Sequence, residues 1–321
     1  MAENSRIEWT HHTFNPWIGC QKVGPGCDHC YAEAWDSRGL QQRETRWGPH
    51  AARTRTSAAN WRKPLAWDRA AAAAGERHRV FCASLADVFD NHASILPEWR
   101  DDLWRLIEAT PNLDWMLLTK RPGNIANMLP VPFDFERLYP NVWLGCTVVN
   151  QAEADRDIPK LLAVPAAVRF LSMEPLLGPT DLTRLMLQPG GQHRNALTGH
   201  TKGFLTDYEG SRLDLVIVGG ESGPGARPMH PEWARSLRDQ CTAAGVAFHF
   251  KQWGEWAPST PEEATGNPRS GWRCLAGHPH VPKAAELYPE AEAAFIERKG
   301  KKAAGRLLEG RTWDEMPGVR S

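Results

Sequence analysis

Six short apolar runs recur along the chain, and each closes in polar or glycine-bearing residues. They are Arg79–Ala83 (RVFCA, then SLAD), Trp115–Leu118 (WMLL, then TKRP), Val142–Cys146 (VWLGC, then TVVN), Val168–Met173 (VRFLSM, then EPLLGP), Leu213–Val218 (LDLVIV, then GGESGPG) and Val246–Phe250 (VAFHF, then KQWGEW). Unbroken apolar runs, without alternation, mark strands buried on both faces, as in a parallel sheet. A further strand is expected ahead of them, near Arg6–Trp9. Helical periodicity falls between the runs. Pro97–Ala109 carries a proline suited to a first turn. Pro231–Ala244 repeats that pattern and stops at Gly245, a good terminal glycine. Gln151–Leu162 is a third, less regular segment, and the alanine run Ala70–Ala74 reads as a helix or its end. Alternating strands and helices predict an α/β fold. Six to seven units would close into a partial or full parallel (βα) barrel, with a doubly wound sheet as the alternative.

Three regions stand outside this repeat. Gln41–Arg69 is basic and aromatic, with seven Arg or Lys against Glu44 and Asp68. Leu187–Ser211 is polar and glycine-rich and reads as a long loop. Beyond Trp256 come turn residues and the basic stretch ERKGKKAAGRLLEG. The expected organisation is a barrel over residues 1–255, with insertions at 41–69 and 187–211, and a C-terminal extension over 256–321.

Composition narrows the function classes. The 321 residues balance 38 basic against 38 acidic side chains, so the chain as a whole has no polyelectrolyte character. No apolar run reaches the roughly 18–20 residues of a membrane span, and the first residues lack the apolar core of a secretory signal. Seven cysteines without such a signal indicate reduced thiols in the cytoplasm, not a disulfide framework.

Three of those cysteines, Cys20, Cys27 and Cys30, lie in GCQKVGPGCDHC with the spacing C-x6-C-x2-C. Gly24, Pro25 and Gly26 make a tight loop that lets thiolates converge. Converging thiolates repel unless a cation neutralises them, which points to a soft metal or an iron–sulfur centre. A structural zinc would need a fourth ligand, for which His11, His12 and His29 are at hand. Free thiols are the plainer alternative. The loop's place after the first strand favours a reactive cofactor, because barrels carry chemistry on loops at strand C-termini.

IEWTHHTFNPWIGC, GCDHCYAE, LLTKRP, LSMEPLLGP, VGGESGPGARPM, FKQWGEW and KKAAGRLLEGRTWDEMP together resemble a phage and bacterial three-cysteine-motif family. More distantly, the chain resembles the radical S-adenosylmethionine (radical SAM) enzymes, spore photoproduct lyases among them. That resemblance implies a [4Fe-4S] cluster on Cys20, Cys27 and Cys30, with one iron open to SAM. It further implies a 5′-deoxyadenosyl radical and an external one-electron donor, and with it a partner protein. The usual radical SAM spacing is C-x3-C-x2-C, so this loop is three residues longer. The aromatic residue expected before the last cysteine is replaced by His29, with Tyr31 just after Cys30.

In a barrel the residues after each strand share one rim. The candidates to hold the cofactor are Tyr31, Ser84, Asp87, Thr119, Lys120, Thr147, Glu174, Gly219, Gly220 and Glu221. The glycines of VGGESGPG allow close backbone approach, but G-x-G-x-x-G is absent, which argues against a dinucleotide fold. Cys146 is a candidate hydrogen donor to a substrate radical; the plain alternative is a small core residue. Trp47, Arg53, Arg55, Trp61, Arg62, Arg121, Lys251 and Trp253 are candidates for the substrate. Arginines interleaved with tryptophans suit phosphates and stacked bases, so nucleic acid, DNA above all, or a nucleotide is the expected partner. The competing expectations are a non-enzymatic zinc- or iron–sulfur-bearing nucleic-acid-binding protein and a barrel that has lost SAM chemistry.

Overall fold

In a computed structural model of the protein, residues 5, 7–38, 44–131, 133–188, 191–203, 206–259, 272–275 and 294–318 are described. Seven strands make the main sheet: β1 (His12–Phe14), β2 (His78–Cys82), β3 (Leu113–Thr119), β4 (Val142–Thr147), β5 (Val168–Met173), β6 (Leu215–Gly219) and β7 (Ala247–Gln252). They hydrogen-bond in chain order, β1 to β7. The β1–β2, β2–β3, β3–β4 and β6–β7 ladders are parallel. A doubly wound sheet reverses its strand order part-way, and this one does not, so the alternative is set aside. The fold is α/β with a seven-stranded parallel sheet, compatible with a partial (βα) barrel. β4, β5 and β6 are buried along their whole length, as the unbroken apolar runs required.

The helices Pro97–Glu108, Gln151–Leu162 and Pro231–Ala244 stand where periodicity placed them. Gly245 ends the last of these in the left-handed region, φ 64°. The alanine run closes helix Lys63–Ala74. The first strand is displaced from its expected position. Ile7–Trp9 is a turn closed by Thr10 N donating to Ile7 O, and the strand follows at His12. Polar His12 and Thr13 concealed it from an apolar-run reading. Within the region 187–211 two short strands are described. His193–Arg194 pairs antiparallel with both Leu185–Met186 and Thr201–Lys202.

The chain divides into two compact units, one of residues 1–147, 157–170 and 319–321, the other of residues 148–156 and 171–318. In the first, Trp9 packs on Phe81 and Phe170 with ring centroids 4.8 and 6.5 Å apart. Phe14 stands edge-on to Trp115. Gly145 in β4 faces the Phe170 ring, where a Cβ would lie 2.4 Å from the nearest carbon. In the second, the chain after β7 forms an antiparallel sheet of Trp256–Pro258, Ala294–Arg298 and Trp272–Leu275. The tail then runs back along β7. Phe250 N donates to Trp313 O (2.9 Å), and Phe248 N donates to Glu315 Oε2 (3.0 Å). This covers an edge that would otherwise offer unpaired backbone.

At the N-terminal ends of β1 and β2 three imidazoles meet. His12 Nε2 lies 3.1 Å from His78 Nδ1, His11 stacks on His78, and Trp67 lies flat on His12. Burial first, then the neighbouring His78 and His11, holds His12 down at about 4 instead of the ordinary 6.5. His11 is lowered by burial, Arg79 and His78, against the opposing carboxylates of Glu76 and Asp114.

Two stability measurements check this account. Gly145→Ala should lose about 1–3 kcal/mol in chemical denaturation by overpacking against Phe170. Gly123→Ala, whose new methyl would find its nearest atom at 3.7 Å, should stay within about 0.5 kcal/mol. For His12, the fold favours the neutral ring, so its contribution is complete above 6.5 and is lost as pH falls toward about 4. The urea midpoint should drop over that window, and the drop should be smaller in His12→Gln. Equal slopes in the two proteins would show that the histidine cluster is not the acid-sensitive joint.

Candidate functional site

The cysteine loop lies at the C-terminal ends of β1 and β2. Gly19 bridges to Ala86 beyond β2, and Cys20 bridges to Trp47. Gly19 has φ 119°, and a Cβ there would sit 2.6 Å from Arg46 O, so both backbone and space require glycine. A single 3-10 turn, Pro25–Cys27, carries Cys27, and Cys30 immediately precedes helix Tyr31–Arg38. Cys20 and Cys30 pack against one apolar cluster of Ala32, Trp47 and Leu85. Asp36 in that helix is buried against Arg46, whose Nε donates to it at 2.8 Å. The helix after Cys30 is thereby tied to the strand segment beside Cys20.

A buried charge network supports the loop from behind. Asp87 Oδ1 accepts from Thr119 Oγ1 (2.7 Å) and Phe89 N (2.9 Å). Its Oδ2 accepts from Lys120 N (3.0 Å) and Arg121 Nη1 (2.9 Å). Arg121 reaches on to Cys20 Sγ at 3.6 Å and Gln21 O at 3.1 Å. Asp90 and Arg53, both with fully buried side chains, pair at 2.9 Å. Burial pushes the Cys20 thiol up to about 11, with Asp87 adding to the rise and Arg121 opposing it. Burial works against the charge on Arg121, but Asp87, Cys20 and Asp90 together hold its pKa above the ordinary value.

Neighbouring strand ends are joined by Asn15, a residue that motif reading passed over. Its Oδ1 accepts from Leu85 N (2.6 Å) and its Nδ2 donates to Ser84 Oγ (3.0 Å). Ser84 O in turn accepts from Tyr31 Oη (2.5 Å). The Asn-Pro step after β1 was the available signal, since that pair favours a turn. Asp90 was missed as well; the acid that closes DVFD gave no pointer to a partner 37 residues away.

In the second unit the ends of β5, β6 and β7 bring Glu174, Gly219 and Lys251 together. Lys251 Nζ donates to Glu174 Oε2, while Glu174 Oε1 is buried without a partner. A Cβ on Gly219 would lie 3.2 Å from Glu174, and one on Gly220 would strike Trp253 O. Glu221 is occupied by Arg227, which donates from N, Nε and Nη2 at 2.6–2.9 Å. Trp253 is buried, its Nε1 donating to Leu307 O.

Residues 4–317 match the model of a family described as Protein of unknown function (DUF5131). The chain belongs to the DUF5131 family. No curated protein and no solved structure matches it.

For this DUF5131 member, the fit of a metal can be tested on the donor set. The six cysteines whose side chains are described form no disulfide, Cys20, Cys27 and Cys30 among them. Three thiols on one loop with a guanidinium beside one of them fit a soft cluster chemically. Among the described residues, however, no three His, Cys, Asp or Glu side chains are gathered as a metal site. His11 and His12 belong to the histidine cluster at the opposite ends of the strands and are not at hand for the loop.

Three of the basic insertion's seven cations are paired in place. Arg46 and Arg53 are paired as above, and Arg55 pairs with Asp102 at 2.6 Å while lying 4.3 Å over the Trp61 ring. Trp47 is buried, and Arg62 and Lys63 remain exposed. Cys146 is fully buried within β4, and Thr147 ends that strand, also buried. Among the described residues no helix is long and apolar enough to cross a membrane. Because Arg53 and Asp90 share a dry interior, Arg53→Met should cost about 3–5 kcal/mol in denaturant unfolding. Arg62→Ala should stay within about 0.5 kcal/mol. The reverse ranking would return Arg53 to the surface as a phosphate contact.

Proposed function

We propose that the protein is a radical SAM-type iron–sulfur enzyme acting on a nucleic acid or nucleotide, with DNA the favoured substrate. The observation that carries this reading is the cysteine loop's position at the C-terminal ends of parallel strands, braced by strand-end groups. Cys20, Cys27 and Cys30 would hold the cluster. Together with SAM, such a cluster supplies a one-electron cleavage that leaves a 5′-deoxyadenosyl radical. Binding would draw the thiols together and release their protons to solvent, so the metal, not the fold alone, would complete the site.

The chain's own residues supply orientation. Asn15 and Tyr31 set the Ser84 loop, and Asp87 sets Thr119, Lys120 and Arg121. In the second unit, Glu174 and Lys251 pair with each other, a carboxylate and an ammonium of the kind that a zwitterionic nucleoside would engage. Support for a base-bearing substrate comes from the helix after Cys30. Tyr31 (60% exposed) and Trp35 (46%) stand one turn apart on it, as a stacking pair would. An external one-electron donor, delivered by a partner protein, completes the proposal.

Anaerobic purification with iron, sulfide and zinc analysis tests this first. Iron and sulfide near four each per chain, with broad visible absorbance, are expected for one [4Fe-4S] cluster. Reduction in the presence of SAM should release 5′-deoxyadenosine. Stoichiometric zinc with no visible absorbance would instead establish the zinc-bearing binding protein. A cluster that never cleaves SAM, with DNA present or absent, would establish a barrel without the chemistry.

A further inference from the structure

We propose that Arg121 is a positioning residue that holds the cysteine loop and donates a hydrogen bond to the Cys20 sulfur, tuning the cluster carried there. The tuning rests on the iron–sulfur reading above; the holding does not. Arg121 follows β3, and its side chain is only 8% exposed. Its Nη1 lies 2.9 Å from Asp87 Oδ2 and 3.6 Å from Cys20 Sγ. Its Nη2 donates to Gln21 O at 3.1 Å, and its Nε lies 3.8 Å from Asp90 Oδ1.

Both carboxylates are themselves immobilised. Asp87 is held by Thr119 Oγ1, Phe89 N and Lys120 N, and Asp90 by Arg53. Swinging Arg121 out would leave two buried charges short of a partner, so the guanidinium is pinned before any ligand arrives. Its planar fork serves carboxylate, sulfur and carbonyl together, which a lysine ammonium cannot reproduce. The basic TKRP sequence suggested a phosphate or carboxylate contact for Arg121. The observed distances commit its donors to the loop. A fixed N–H and a positive charge beside a ligand sulfur favour the more negative, reduced state of a cluster and raise its reduction potential.

The test uses the full chain carrying Arg121→Gln or Arg121→Lys. In metal-free protein, amide exchange over residues 19–30 should quicken about tenfold in Arg121→Gln, the weight of one or two lost hydrogen bonds. Arg121→Lys should recover part of it, with β3 unchanged in both. Unaltered exchange in Arg121→Gln overturns the holding role whether or not a cluster binds. After anaerobic reconstitution with ferrous iron and sulfide, the midpoint potential should move negative in Arg121→Gln, with Arg121→Lys between it and the wild type. Equal potentials overturn the tuning. A wild-type chain that takes up no iron removes the tuning together with the iron–sulfur reading, and the exchange result still decides the holding role. If Arg121→Gln does not fold, Arg121→Lys, which keeps a charge for Asp87, carries both comparisons.

Discussion

Four hydrogen bonds into one buried carboxylate, Asp87, govern the first unit's strand ends. A carboxylate removed from water must have its lone pairs filled or it destabilises the fold. Asp87 meets that demand with two backbone amides, one hydroxyl and one guanidinium. The requirement fixes where β3 must stop, which way Thr119 faces and where Arg121 can lie. Through Arg121 it also fixes Cys20 and Gln21. The loop with the most distinctive chemistry therefore takes its position from an acid more than fifty residues downstream.

At the second unit's strand ends close backbone approaches stand beside a filled carboxylate, Glu221. Gly219 and Gly220 leave room for Glu174 and Trp253 O, which any side chain would occupy. Glu174 keeps one buried oxygen without a partner.

Much of the scaffold could be read from residues alone, for a physical reason. Strands buried on both faces exclude polar side chains, so β2 to β7 declare themselves as apolar runs. The helix at Pro231–Ala244 declared itself through its proline and its terminal glycine. β1 did not, because three residues bearing a histidine and a threonine carry no such run. The candidate site was legible in its cysteines and its rim, but not in its charges. Arg46 and Arg53 read as free cations because their acids, Asp36 and Asp90, lie ten and 37 residues away along the chain. Charge composition of a segment counts partners within it and misses those that folding brings from elsewhere. The same blindness hid Asn15, whose work is done on a strand end seventy residues on.

The hydrogen bonds from β7 to Trp313 and Glu315 have a consequence for synthesis. A sheet whose strands pair in chain order can assemble as each strand leaves the ribosome, β1 to β7 in turn. The last strand's outer edge has no such early neighbour. It waits for some sixty further residues to be translated before its cover arrives. During that interval the nascent chain carries that β edge uncovered, which is where a chaperone has most to protect.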